Sequence, residues 1–108
     1  MDGEEVLYRQ IADKLTQANA SVSRGKMMSA PGIKYKNKVF AFYHQKEMVF
    51  KLGKDFDPNS FQLKEHSLLS PFKSKPPMAA WFRIPSSQHE KWDALAEFAL
   101  ARMAEELG

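Results

Sequence analysis

The fold is decided by residues 25–52, which read GKMMSAPGIKYKNKVFAFYHQKEMVFKL. Apolar and polar residues alternate here over short runs, a period typical of β-strands. The runs are separated by turn-forming residues at Asn37 and at Gln45-Lys46. The stretch therefore predicts three short strands joined by two tight turns, with the helices on either side covering the sheet.

The three predicted strands differ in character. In the first, Pro31 removes a hydrogen-bond donor and Gly32 admits a positive φ, so we expect a bulge or sharp bend before residues 33–36. The second, residues 39–44, is largely apolar on both faces and is expected to be central. Its predicted faces are Val39, Ala41 and Tyr43 on one side and Phe40, Phe42 and His44 on the other. The third alternates from Met48 to Leu52, and Gly53 closes it.

A helix is predicted on each side of these strands. The first covers Gly3–Ala18, and its apolar stripe is Leu7, Ile11, Leu15 and Ala18. The last begins at a cap formed by Ser86 or Ser87 and runs to about Leu107. Its apolar stripe is Trp92, Leu95, Ala99 and Met103.

The segment between the third strand and the last helix predicts smaller elements. Asp57-Pro58 indicates an N-cap followed by proline at the first helical position of a short helix over residues 59–65, with Phe61 inward. Residues 70–77 are too rich in proline for a central strand and are expected to form a loop or an edge. Residues 78–84 predict a further strand that Pro85 ends.

The predicted order is helix, three strands, short helix, one or two strands, helix. This order indicates the α+β class, an antiparallel sheet with helices packed on one face. At 108 residues the chain is expected to be a single domain, 1–108. It holds no cysteine, which excludes disulfides, thiolate metal sites and a cysteine nucleophile. The acidic N-terminus is unlike a signal peptide, and no apolar run approaches a membrane span, so we expect a soluble cytoplasmic protein.

Charge is distributed unevenly along the chain. Residues 1–23 carry a net charge of −2, residues 24–84 carry +8 and residues 85–108 carry −3. Residues 24–54 hold eight basic residues against one acidic residue, Glu47, which makes the predicted strands and their turns the candidate surface for a protein partner or nucleic acid. The candidate residues are Arg24, Lys26, Lys34, Lys36, Lys38, Lys46 and Lys51, with Lys54 beside them. The alternative, which we favour from the sequence, is that these side chains solvate strand edges and block edge-to-edge pairing.

No catalytic, cofactor or metal site is expected. His44, His66 and His89 lie in different elements without a ligand spacing, and are expected to be surface residues. No acidic pair lies in an apolar setting that would support acid–base catalysis, and the sequence contains no nucleophile elbow or phosphate loop. The strand and helix aromatics are expected to form core rather than a base-stacking platform, as is the pair Met27-Met28. Partial exposure is expected of Tyr35, Tyr43 and Trp81 because their faces are of mixed polarity.

Several blocks of the chain resemble one known family. Residues 25–35, together with 38–41 and 48–52, resemble the N-terminal domain of the TfoX/Sxy family. Residues 77–85 resemble the family's second strand block and residues 92–96 its final helix, whereas residues 67–76 match poorly. The resemblance covers nearly the whole chain beyond the first helix.

The resemblance implies a small bacterial α+β domain with a curved antiparallel sheet, similar in layout to YjbR-like and secretion-chaperone-like folds. Family members with known roles take part in regulating competence through other transcription factors, and they carry a second, C-terminal domain that these 108 residues do not include. The competence role is therefore not carried over directly, and the family offers no catalytic residues.

Three function classes follow. The first is a non-enzymatic interaction module, an accessory factor in transcriptional regulation that acts through a protein partner. The second is direct nucleic-acid binding by the lysine-rich hairpins. The third, a small-molecule binder or enzyme, has no supporting pattern. Homodimerisation is left open by the sequence.

Overall fold

A computed structural model describes residues 3–27, 30–69 and 78–107, without the side chains of residues 27, 68, 69, 78 and 79. The expectations for Met27-Met28 and for residues 70–77 lie outside these described parts. The two α-helices are α1 (Gly3–Ala18) and α2 (Trp92–Leu107). The strands are β1 (Val22–Met27), β2 (Ala30–Tyr35), β3 (Lys38–His44), β4 (Glu47–Lys51), β5 (Ser67–Leu69) and β6 (Met78–Ile84). Two 3₁₀ helices, Pro58–Phe61 and Ser86–Lys91, complete the described elements.

The six strands form one antiparallel sheet in the order β1-β2-β3-β4-β6-β5. Only the last two strands are exchanged relative to chain order, so β1 and β5 are the edges. Both α-helices contribute to the core on one face of this sheet. The α+β class, with helices packed against an antiparallel sheet, is confirmed.

The prediction of three strands in the first block is wrong, because the chain forms four. The expected interruption at Pro31-Gly32 lies inside β2, and β1 begins upstream at Val22. Lys36 donates its backbone N–H to the Ser21 carbonyl at 3.0 Å, so every second residue of β2, counted back from Lys36, forms its backbone hydrogen bonds with β1. Pro31 is not one of these residues. Its backbone nitrogen, which carries no hydrogen, therefore faces β3. Pairing of β2 with β3 starts one residue later, at Gly32. A proline is therefore tolerated where the ladder ends.

The two predicted tight turns are present. Lys36 and Asn37 have φ of 47° and 72°, and Gln45 and Lys46 have φ of 50° and 65°. Positive φ at both central residues is what a type I′ hairpin turn requires, and this turn matches the twist of the flanking strands. The β2–β3 and β3–β4 turns lie at opposite ends of β3.

A β-bulge overturns the predicted alternation of β3. Ile33 pairs with Ala41 and Lys34 pairs with Val39, so Phe40 is the extra residue. Phe40 and Ala41 consequently both pack in the helix-side core, whereas Val39 packs on the opposite face with Phe42. The prediction that β3 is central and apolar on both faces is confirmed.

Among the described residues, the helix-covered core is the larger of two apolar clusters. From β3 and β4 it contains Phe40, Met48 and Phe50, all without solvent exposure. α2 contributes Trp92, whose indole Nε1 donates to the Ile84 carbonyl at 3.1 Å. The α2 stripe of Trp92, Leu95, Ala99 and Met103 is buried as predicted, together with Ala96.

The opposite face carries a smaller cluster made of strand residues. Its buried members are Ala30, Phe42, Val49 and Trp81. The rings of Phe42 and Trp81 lie 5.7 Å apart between centroids. Tyr35, Tyr43 and Trp81 are all buried, so the expectation of partial exposure is wrong: Tyr35 and Tyr43 join the helix-covered core and Trp81 joins this one.

Details at the helices also differ from the prediction. α1 buries Tyr8, Ile11, Ala12 and Leu15, whereas Leu7 is half-buried and Ala18 is exposed, because the buried face is rotated by about one residue. The Asp57 cap is confirmed, with its carboxylate accepting from the Asn59 N–H at 3.0 Å. This short helix is a 3₁₀ turn that ends where Gln62 adopts φ 56°. Neither Ser86 nor Ser87 caps the last helix, because a 3₁₀ helix entered from Pro85 precedes α2.

Candidate functional site

The seven predicted basic residues do not form one patch. Lys36, Lys38 and Lys51 lie at the end of the sheet that carries the β2–β3 turn, whereas Lys46 lies at the other end of β3. The seven residues of β3 span roughly 20 Å at the rise of a strand. The remaining three, Arg24, Lys26 and Lys34, belong to β1 and β2.

Some of these charges are already compensated. Arg24 forms an ion pair with Asp13 of α1, and Lys51 lies 3.6 Å from Glu106 of α2. The Lys36 ammonium lies 5.5 Å from the centroid of the Tyr35 ring, a cation–π distance. Among the described residues, four of the seven make no ion pair. They are Lys26, Lys34, Lys38 and Lys46.

Along the β1 edge of the described sheet, backbone N–H and C=O groups without a strand partner lie beside positively charged side chains. The Lys36–Ser21 hydrogen bond means that residues 21, 23, 25 and 27 turn their backbone polar groups toward β2. The groups of Val22, Arg24 and Lys26 therefore point away from the sheet. The Val22 N–H is satisfied by the Asn19 carbonyl at 3.0 Å. Arg24 and Lys26 thus present N–H and C=O groups along an edge that no described strand covers.

Side chains from both faces reach this edge. Arg24 and Lys26 lie on the same face of β1 as Val22, which is buried in the helix-covered core, so both side chains lie on the helix side of the sheet. On the other face the aliphatic chain of Lys34 crosses Gly25, and a Cβ at Gly25 would lie 3.0 Å from the Lys34 Cδ. The absence of a side chain at Gly25 therefore lets Lys34 lean over the edge strand. We call Arg24, Lys26 and Lys34, with the outward backbone of β1, the β1 edge site.

A cleft of about 330 Å³ lies between α2 and the segment that follows β4. Its positive groups are Lys51, Lys54 and Arg102, and its negative groups are Asp55 and Glu106. Arg102 contacts Asp55 at 3.1 Å, so that the charges in this cleft largely pair with one another. The ion pairs that line this cleft connect the sheet to α2, and they leave no open cationic pocket among the described residues there.

The histidines are placed as predicted. All three are exposed, and they are far apart in the chain: His44 ends β3, His66 directly precedes β5 and His89 lies in the second 3₁₀ helix. Within residues 3–27, 30–69 and 78–107, no group of three or more His, Asp or Glu side chains could hold a metal ion. Neither described α-helix has the length and apolar content needed to cross a bilayer.

Comparison with known proteins gives no further identification. No protein-family model matches the chain, and no match was found among curated proteins or among solved structures. The resemblance to TfoX/Sxy N-terminal domains therefore remains a hypothesis.

Sequence reasoning named the three side chains of the β1 edge site but missed β1, the strand that carries Arg24 and Lys26. The signal was weak, because Val22 is the one clearly apolar residue in the alternation Val22, Arg24, Lys26. Charged residues at alternate positions of a strand, here those whose backbone groups point away from the sheet, are typical of a sheet edge. This pattern, which ends shortly before β2 begins, is what could have indicated the strand.

Proposed function

We propose that this protein is a non-enzymatic interaction module that acts through a protein partner bound at the β1 edge site. The observation that carries the proposal is the coincidence of unpaired strand backbone with Arg24, Lys26 and Lys34. Exposed strand edges are a recurrent mode of protein recognition because main-chain hydrogen bonds supply affinity and flanking side chains supply specificity. An accessory role in cytoplasmic transcriptional regulation, as implied by the TfoX/Sxy resemblance, is part of this proposal.

Direct nucleic-acid binding is the second candidate. It is supported by Lys38, which is exposed and makes no ion pair among the described residues, and by its neighbour Lys36 in the β2–β3 turn. Against it, the lysines are spread over both ends of the sheet. A phosphate backbone would also leave the outward N–H and C=O groups of β1 without strand-like partners.

Site-specific photocross-linking tests the protein partner. A photoreactive residue is placed at Ser23 on β1, and a matched control is placed at Glu105, an exposed position on α2. Cross-linking in living cells should trap one discrete protein adduct from position 23 and none from position 105. Equal adducts from both positions, or none from either, would contradict the proposal.

Fluorescence anisotropy of a labelled duplex tests the alternative. Under our proposal the duplex binds weakly at low salt and is released at physiological salt. Tight binding that is lost in the triple variant Lys34→Gln, Lys36→Gln, Lys38→Gln, with a smaller salt slope, would favour the nucleic-acid function instead.

A further inference from the structure

We infer that the partner segment at the β1 edge site is an extended acidic peptide, which adds to the sheet as an antiparallel seventh strand with Asp or Glu at every second residue. This inference rests on the proposed function and specifies the chemistry of the partner.

The backbone pattern of β1 defines how such a strand would pair. Arg24 and Lys26 turn both N–H and C=O outward, so the residues placed opposite them in an antiparallel strand would exchange two hydrogen bonds with each. Every strand pair in the sheet is antiparallel, so an added strand of this kind continues the existing pattern. The Val22 N–H is already bonded to Asn19, which sets the start of the free edge.

The charge pattern specifies the side chains of the added strand. Residues directly opposite each other in an antiparallel pair project to the same face. The partner residues opposite Arg24 and Lys26 therefore lie beside two cations on the helix side of the sheet. Asp13 offsets only one of them, because Lys26 makes no ion pair with any described residue. Acidic side chains at alternate positions complement this row.

The other face of the edge has a different character. Ser23 carries a small side chain there and Gly25 carries none, and the aliphatic part of Lys34 covers Gly25. Small or β-branched residues such as valine and threonine suit this surface and have high strand propensity. The expected segment thus alternates Glu or Asp with Val or Thr.

A second copy of this chain fits the edge poorly. Pairing β1 with β1 about a two-fold axis would bring the Arg24 and Lys26 side chains of both copies together on one face. Like charges opposed across strands are destabilising, and lysine on an edge is a known means of preventing such pairing. We therefore expect the free protein to be monomeric in sedimentation experiments.

The test uses the intact protein and a synthetic peptide of about ten residues that alternates glutamate with valine and threonine. Binding is followed by calorimetry, and amide hydrogen exchange is followed residue by residue by NMR. We expect saturable micromolar binding with new protection of the Arg24 and Lys26 amides. Binding without protection at these amides would overturn strand addition in favour of simple charge attraction, and absence of binding would overturn the inference altogether.

Two matched pairs of ligands and variants separate backbone pairing from charge. The peptide N-methylated at its glutamates loses the N–H groups that face β1 and should not bind, whereas N-methylation at the valines and threonines should be tolerated. Lys26→Gln removes one charge and should weaken binding about two- to fivefold. Lys26→Pro also removes the outward donor and should weaken it by a further factor of about two to ten. Lys64→Gln is the control, because Lys64 is exposed and lies just before β5, the opposite edge strand of the sheet, and this variant should bind like the wild type.

The inference and the proposed function can fail separately. If position 23 cross-links a protein in cells but acidic peptides do not bind, the proposed interaction function stands and the inference of an acidic partner strand is wrong. If acidic peptides bind but no adduct forms in cells, the edge is competent but the proposed function is wrong. A dimer whose Arg24 and Lys26 amides are protected without peptide would overturn the inference in favour of self-pairing.

Discussion

The two faces of the sheet are stabilised in different ways. On one face α1, α2 and the strands share a single large core, in which the ring centroid of Phe56 lies 5.3 Å from that of Phe82 and 5.3 Å from that of Phe98. On the other face the cluster around Phe42 and Trp81 is made of strand residues only, within the described parts of the chain. A sheet can thus bury apolar residues on both faces while only one of them is held by helices.

The ion pairs at the surface of the two faces differ in the same way as the apolar clusters. α1 and α2 are joined by Lys14, which contacts Asp93 and lies 3.5 Å from Glu97. On the strand-only face, Arg83 binds Glu47 through Nε at 3.0 Å and Nη2 at 2.6 Å. The first network connects helices across the outside of the core, and the second connects neighbouring strands. We expect the helix-covered face to determine global stability and the strand-only face to contribute less.

A matched pair of phenylalanines tests this ranking with the largest expected effect. Phe50 has no exposure in the helix-covered core, and Phe42 is 1% exposed in the strand-only cluster. Core Phe→Ala substitutions lower the free energy of unfolding by about 3–5 kcal/mol, and the loss is smaller where the surroundings can collapse into the cavity. We therefore expect Phe50→Ala to lie near the top of this range and Phe42→Ala near the bottom.

Urea unfolding followed by circular dichroism measures both variants. If either fails to fold, the pair Phe50→Leu and Phe42→Leu replaces it with the same expected order. Equal losses, or a larger loss at Phe42, would show that the two faces are energetically equivalent.

The next largest loss of stability is expected from substituting Gly53, two residues after the end of β4. Gly53 has φ 102°, and a Cβ there would lie 2.7 Å from the Arg102 guanidinium of α2. Gly53→Ala should therefore lower stability by about 1–3 kcal/mol through backbone strain and through displacement of Arg102 from Asp55.

Gly3→Ala is the control, because a Cβ at this helix position meets nothing within 4 Å. The double variant Gly53→Ala, Arg102→Ala should regain part of the loss if the contact matters, and none if the strain is purely in the backbone. A wild-type melting temperature in Gly53→Ala would show that neither the backbone conformation at Gly53 nor its contact with Arg102 contributes to the stability of the helix-covered face.

The sequence predicted the parts of this fold that depend on local chemistry. Asn37 and Gln45-Lys46 mark their turns because turn residues act within four positions of the chain. α1 was predicted from Gly3 to Ala18 and forms there. Asp57-Pro58 was predicted as a cap because both the carboxylate and the fixed φ of proline act locally.

The parts that were predicted wrongly depend on strand partners. The bulge at Phe40 exists only relative to β2, and nothing in residues 38–44 alone distinguishes it from regular alternation. Pro31 was interpreted as an interruption, although its missing donor matters only where a neighbouring strand needs one. The β1 edge site was missed for the same reason, because an edge is defined by the order of strands in the sheet and not by composition.

The smallest effect concerns pH and should distinguish the two faces by chemistry. Tyr8 of α1 is 2% exposed, and its ring stacks on Tyr43 with centroids 5.6 Å apart. Burial raises the pKa of the Tyr8 phenol above its usual 10.0, and the nearby positive charge of Arg24 only partly offsets this. None of the buried residues of the strand-only cluster can ionise near this pH.

The sign of the effect follows from proton binding. Above pH 10 the unfolded chain loses the Tyr8 proton while the folded protein keeps it, so stability that is complete below pH 10 declines as pH rises toward the higher folded pKa. Urea unfolding at about pH 8 and about pH 11 should show a smaller alkaline loss in Tyr8→Phe than in the wild type, by up to about 1 kcal/mol. Comparing the two proteins cancels the lysines, which titrate in both. Identical alkaline losses would mean that Tyr8 ionises equally in the folded and unfolded states, and that α1 packs less tightly against the sheet than its burial indicates.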